Sequence, residues 1–188
     1  VSILKMSRPF YFRRLLLLTP TYLVSLRDAA RVQKNDTKIF SSTKMFVLYL
    51  LFDTYKCIRE NFDPSVLFHH VMVAVMHSLC FVPGSDKYIM RQNAPKLLFL
   101  ETMAILTCVK HCVPKRFSST IDILQLLNIG FLRIPLWYMF AFKYMGPRLK
   151  SFFLKRVVQV IAVVMIILDI YWFKCISNGM IKHRLKLI

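Results

Sequence analysis

Apolar residues gather into five long runs, Lys44–Ile58, Ser65–Val82, Lys96–Val113, Ile121–Phe142 and Val157–Phe173, separated by short basic connections. A helix needs about 20 apolar residues to cross a bilayer, and fewer where flanking Lys and Arg reach out to the headgroups. The five runs therefore predict five membrane-crossing helices. A sixth, Leu15–Leu26, is too short to cross alone and contains Pro20, so it predicts a short interfacial or half-inserted helix. Pro64 and Pro95 stand near predicted starts, and Pro83, Pro114 and Pro147 near predicted ends, where a missing amide donor does least harm. Pro135 lies inside a run, two residues after Arg133, and predicts a kink beside Gly130 that frees the carbonyl of Phe131. The expected fold is all-α, a polytopic transmembrane helical bundle of five to six spans enclosing a polar or lipid chamber. Residues 1–43 are expected to form a basic N-terminal segment, 44–176 the bundle, and 177–188 a basic C-terminal tail. With five crossings the basic residues make the N-terminal side the inner one; with six they show no bias.

Composition sharpens this picture. The 188 residues are 56% hydrophobic, and the mean hydropathy of +0.50 exceeds that of an ordinary soluble domain. Lys and Arg number 27 against 9 Asp and Glu, a net charge of +18. Such a balance points to anionic lipid headgroups as partners, or to acidic surfaces on other subunits of a membrane complex. Nucleic acid is not expected, because the basic residues are scattered through every loop without a contiguous face or a binding fold. The five cysteines, Cys57, Cys80, Cys108, Cys112 and Cys175, contain no CxxC pair and read as reduced packing residues. Cys108 and Cys112 share a helix face beside His111, yet no further ligands can be placed, so neither a metal nor a cofactor is expected. The sequence begins at Val1, and Arg8, Arg13 and Arg14 precede the first acid, Asp28. That start favours the mitochondrial inner membrane over the endoplasmic reticulum as the location of an integral membrane protein. The Asn35-Asp36-Thr37 sequon has meaning only if its loop meets a secretory lumen.

Isolated polar groups interrupt the apolar runs, and these carry the candidate chemistry. His69 and His70 lie in the second run with His77 one face-repeat further on; Asp53, Glu101, Asn128, Arg133 and Asp169 occupy similar settings elsewhere. An ionisable group within a membrane segment is costly unless it faces a bundle interior or a watery cavity. Two readings follow. In one, the residues line a chamber in which a histidine acts as base and a carboxylate orients it, chemistry suited to acyl transfer or hydrolysis. In the other, Glu101 pairs with Arg133, the histidines bond backbone carbonyls, and the set locks helix register. Trp137, Tyr138, Tyr144, Tyr171 and Trp172 lie towards the ends of their runs and read as interface anchors.

Taken in order, these residues resemble the TLC (TRAM/Lag1/CLN8) family of multi-pass membrane proteins. The similar features are Tyr49-Leu50-Leu51-Phe52-Asp53-Thr54-Tyr55, Phe68-His69-His70-Val71, Leu100-Glu101-Thr102, Asn128 with Phe131 and Arg133, and Asp169-Ile170-Tyr171-Trp172-Phe173. Their order holds from about Phe46 to Ile176. The resemblance implies a TLC-like bundle over 44–176 around a lipid-accepting chamber, with functions in the family ranging from ceramide synthesis to membrane lipid organisation. Ceramide synthases carry a further His-Asp and Asp arrangement after the histidine pair, where this chain has Glu101 and Cys108 instead. A non-catalytic, lipid-binding or lipid-organising protein of the non-synthase type is therefore the leading expectation. An accessory subunit of a large membrane assembly is the alternative, and an acyl-CoA acyltransferase using His69 or His70 is the third.

Overall fold

The computed structural model describes residues 8–31, 41–59, 63–79, 81 and 86–185, and every regular element among them is helical. The helices are α1 (Arg8–Arg31), α2 (Ser41–Arg59), α3 (Pro64–Ser78), α4 (Lys87–Leu97), α5 (Thr102–Cys112), α6 (Ser118–Leu127), α7 (Ile134–Tyr138) and α8 (Phe152–Leu185). A 3₁₀ turn, Leu98–Glu101, joins α4 to α5, and a π turn, Asn128–Arg133, joins α6 to α7. The described residues thus form six rods, because α4–α5 and the stretch Lys115–Arg148 are each continuous. The sequon at Asn35, together with Cys80 and Pro83, lies outside the described residues.

Most successive rods are antiparallel neighbours, whereas α3 packs on α8 and the α4–α5 rod on α1. Side-chain pairs fix the directions. Tyr11 stacks on His111 while Tyr22 bonds Thr102, so α1 and the α4–α5 rod run oppositely. Thr54 meets His70 and Phe46 meets His77, which does the same for α2 and α3. Around the molecule α1 packs on α2, α2 on α3, α3 on α8, α8 on α6 and α7, α6 on α5, and α5 again on α1. This order closes a ring. One end of the ring is filled by apolar side chains, including Phe46, Met76, Met90, Ala94, Met145, Val158 and Met165. At that closed end the Asp86 carboxylate accepts from the amides of Lys150 and Ser151 at 2.9 and 2.8 Å, tying the start of α4 to the approach to α8. At the other end Asp63 caps α3 by accepting from the Ser65 amide at 2.8 Å, with Pro64 in the first turn, where its missing N–H is harmless.

Three expectations change. Pro20 does not break the first apolar run: α1 is one helix of 24 residues that carries Pro20 within it and packs as a full member of the ring. Packing along its length outweighs the one backbone bond that the proline removes, and the Thr21 hydroxyl donates to the Leu17 carbonyl at 3.0 Å on the next rung. The stretch from 177, expected as a tail, continues α8 to Leu185. Third, only Lys115–Arg148, 34 residues, is long and apolar enough to cross a membrane among the described residues. Length and composition do not support five to six spans, since α3 has only 15 residues and α1 carries several charges.

Gly146 shows how tightly the closed end is packed. A Cβ there would lie 1.9 Å from the Ala141 carbonyl oxygen, and the adjacent Met145 amide reaches back to the Phe140 carbonyl at 2.8 Å, a π-type turn. Only glycine fits beneath that turn.

Candidate functional site

Two interruptions in helix geometry build the site. Pro95 sits inside α4, and the chain tightens into the 3₁₀ turn Leu98–Glu101 shortly after it, which leaves the Leu100 carbonyl available and turns Glu101 into the ring. Pro135 has no N–H to give, and just before it the ladder shifts to the π register, with the Ile134 amide donating to the Ile129 carbonyl. The expected kink is therefore a widened turn, and its last residue is Arg133. Arg133 is only 1% exposed; its Nε donates to Asp169 Oδ1 at 2.8 Å and its Nη1 donates to the Leu100 carbonyl. Each irregular turn thus supplies one half of a contact between the rods.

The histidine pair divides its partners. His69 Nε2 lies 3.4 Å from Glu101 Oε1, and His70 Nε2 lies 3.2 Å from Asp53 Oδ2, as expected when neighbours on a helix point about 100° apart. The Asp53 carboxylate also takes the Arg14 guanidinium and, at 3.3 Å, the Tyr49 hydroxyl. Thr54 Oγ1 sits 3.3 Å from the other nitrogen of His70. A line of contacts therefore crosses the bundle in two branches, Arg14–Asp53–His70 from α1 to α3 and His69–Glu101 from α3 towards the Arg133–Asp169 pair. Trp172 bridges the second branch and the Arg133–Asp169 pair: its ring lies 5.4 Å from that of His69 and 5.7 Å from the Arg133 guanidinium carbon, and its Nε1 donates to Ser65 Oγ at 3.1 Å.

These groups surround a cavity of about 290 Å³, open at the end opposite the apolar core. Arg14, His69, His70, Glu101 and Arg133 line it, as do Thr107, Lys110, His111 and Gln125 nearer α5 and α6. Each lining cation has a carboxylate at hand: Asp53 for Arg14, Asp169 for Arg133, and Asp122 for Lys110. Gln125 Nε2 donates to Thr107 Oγ1 at 2.9 Å and completes the wall between α5 and α6.

Among the residues singled out in the sequence, Asp53, His69, His70, Glu101, Arg133 and Asp169 come together, with Asp53 and Asp169 behind the wall rather than in it. Glu101 bonds His69, not Arg133 as the register-locking reading has it. His77 does not join them; it is buried against the Phe46 ring, 4.8 Å away, towards the apolar end. Asn128 is half-buried and contributes nothing to the cavity wall. Sequence reasoning missed Arg14 as a site residue, because together with Arg8 and Arg13 it reads as part of a basic N-terminal segment. Trp172 was misplaced for a related reason, since an aromatic near the end of an apolar run has the same pattern whether it faces an interface or a cavity.

A metal has one geometric opening among the described residues, where ligand atoms of Asp53, Cys57 and His70 lie within 4.8 Å of one another. The Arg14 guanidinium on the same Asp53 carboxylate opposes a further cation there. Cys108 and Cys112 are free thiols, and the His111 ring beside them stacks on Tyr11 at 3.8 Å. The fold and site together define a helical bundle built around a charged, open-ended chamber. Comparisons of the sequence with protein-family models, with curated proteins and with solved structures find no match.

Proposed function

We propose that this chain is an integral membrane protein of the TLC type, non-catalytic, whose chamber binds lipid and whose bundle crosses the bilayer five to six times. The observation that carries the reading is an inverted distribution of polarity. Paired charges lie inside, with Arg14, Asp53, Glu101, Arg133 and Asp169 all buried, while lysines and arginines such as Lys44, Arg59, Lys115 and Arg116 stay exposed near rod ends. The outside is apolar, with Leu48 68% exposed, Phe131 80%, Val160 61% and Ile167 61%, joined by Leu51, Ile58, Val71, Ile123, Leu127 and Ile170 on successive rods. Soluble monomers rarely expose contiguous apolar surface on this scale, and a bilayer is the solvent that makes it favourable. Counting charges along a rod penalises α1 and α2 for Arg14 and Asp53, although these two neutralise each other inside the ring. α8 supports the same reading, because Asp169, the one charged residue in its apolar run Val157–Phe173, is paired with Arg133.

The non-catalytic part rests on what the histidines touch. Both imidazoles spend one nitrogen on a carboxylate within a closed set of ion pairs, and Asp53 is shared with Arg14. Membrane fractionation followed by native mass spectrometry in mild detergent tests the whole reading. The expected result is a chain that resists carbonate extraction and retains lipid. Release by carbonate would contradict membrane embedding, a stoichiometric set of protein partners without lipid would favour the accessory-subunit alternative, and acyl-CoA turnover requiring His69 or His70 would overturn the non-catalytic assignment.

A further inference from the structure

Arg133 Nη2 and His69 Nδ1, buried atoms of two residues that line the chamber, have no hydrogen-bond partner, and their chemistries are complementary. Arg133 Nη2 is a donor only; its residue mates Nε and Nη1 are already given to Asp169 and Leu100. His69 Nδ1 is the other. Because His69 Nε2 faces the Glu101 carboxylate, that nitrogen carries the hydrogen in the neutral ring and Nδ1 is left as an acceptor. Both residues line the same cavity and both flank the Trp172 ring. A buried donor and a buried acceptor on residues of one cavity wall call for a group that can accept from one and donate to the other.

Charge narrows the choice. Arg14 and Arg133 face Asp53, Glu101 and Asp169 at the centre of the chamber, so with neutral imidazoles the cluster already holds one more negative charge than positive. An anionic headgroup would add to that excess in a poorly solvated site, whereas a neutral O–H group leaves the balance as it is. Size narrows it further. About 290 Å³ corresponds to about ten water volumes, enough for a head and a few methylenes but not for the body of a two-chain lipid. Val66, Met103, Ala104 and Ile176 give the rest of the wall an apolar strip beside the polar groups of α5 and α6.

We propose that the chamber binds the hydroxyl end of a single-chain amphiphile, an alcohol or a protonated carboxylic acid, with its oxygen accepting from Arg133 Nη2 and its O–H donating to His69 Nδ1. The assignment deepens the lipid-binding reading and rests on it. The chain of the amphiphile passes Trp172 and Ala104 towards the mouth.

The test uses the full chain in phosphatidylcholine nanodiscs, with retention of radiolabelled 1-dodecanol, dodecanoic acid, methyl dodecanoate and dodecyl phosphate measured against empty nanodiscs. One dodecanol or dodecanoic acid per chain is expected. The methyl ester lacks the donor and leaves His69 Nδ1 unpaired, so its binding should be at least about tenfold weaker, with dodecyl phosphate weaker than the alcohol as well. Ala104→Phe, which fills the passage without touching an ion pair, should lower dodecanol binding by a similar factor. Equal binding of ester and alcohol on the wild-type chain, or a preference for the phosphate, would overturn the proposal whether or not the variant folds. Retained phospholipid without dodecanol binding would overturn this site and leave the membrane-lipid reading intact, while failure to enter nanodiscs would remove that reading first.

Discussion

At the closed end of the ring, Met76, Met90, Ala94, Met145, Val158 and Met165 meet in a core of carbon and sulfur. At the open end the same helices bring Arg14, Asp53, His69, His70, Glu101, Arg133 and Asp169 into the space between them. At the closed end the contacts between helices are mainly apolar, and the buried Asp86 carboxylate accepts from backbone amides rather than from a cation. A buried ion pair is often no more stabilising than an apolar one of equal volume. Buried ion pairs gathered around a cavity mark the open end as the working part of the molecule. The difference also extends to backbone geometry, since both Glu101 and Arg133 sit on irregular turns that regular helices would not provide.

The largest effect is expected where the open end is most closely paired. Arg133→Met leaves Asp169 buried without its cation and should lower stability by about 3–5 kcal/mol in thermal unfolding of the detergent-solubilised chain. Adding Asp169→Leu should recover most of that loss; no recovery would mean that Arg133 is held by something other than the pair. A smaller effect is expected at the closed end from Gly146→Ala, which drives a methyl into the Ala141 carbonyl and should destabilise by about 1–3 kcal/mol. If the melting temperature is unchanged, the turn over Gly146 is looser than described.

Much of this was legible in the sequence, for a physical reason. Asp53, His70, Glu101, Arg133 and Asp169 stand out because each interrupts an apolar run, and desolvation makes such interruptions informative without any knowledge of partners. Which group meets which is a different matter, because it depends on how helices are rotated. The register-locking reading pairs Glu101 with Arg133, yet the 3₁₀ turn directs Glu101 to His69 and leaves Arg133 to Asp169. The α4 helix was not read at all: Lys87–Leu97 carries three basic residues and a proline, so its apolar content resembles a loop until its packing against α1 is seen. Pro20 misled in the opposite direction, since local propensity argued for a break that packing along α1 overrides.

Within the open end, the Glu101–His69 contact supplies a finer test. Glu101→Gln retains an oxygen for His69 Nε2, whereas Glu101→Ala removes it, so the alanine variant should be the less stable by about 1 kcal/mol. Identical melting curves for the two would argue that the contact contributes nothing. The smallest effect should come from Arg27→Ala. Its side chain is half exposed, and Asp28 keeps the Ser42 amide as a partner at 3.0 Å, so the change should stay within about 0.5 kcal/mol.

The central claim is that the apolar exterior faces lipid while the charged groups face inward, and labelling from within the bilayer reads it directly. The chain would be reconstituted into phosphatidylcholine vesicles with a photoactivated apolar carbene reagent dissolved in the acyl layer, and labelled residues identified by peptide mass spectrometry. The account predicts labels on Leu48, Phe131, Val160 and Ile167 and none on Arg133, His69 or Asp169. Unlabelled exterior positions in a folded, vesicle-bound chain, or labels concentrated on the chamber residues, would contradict it.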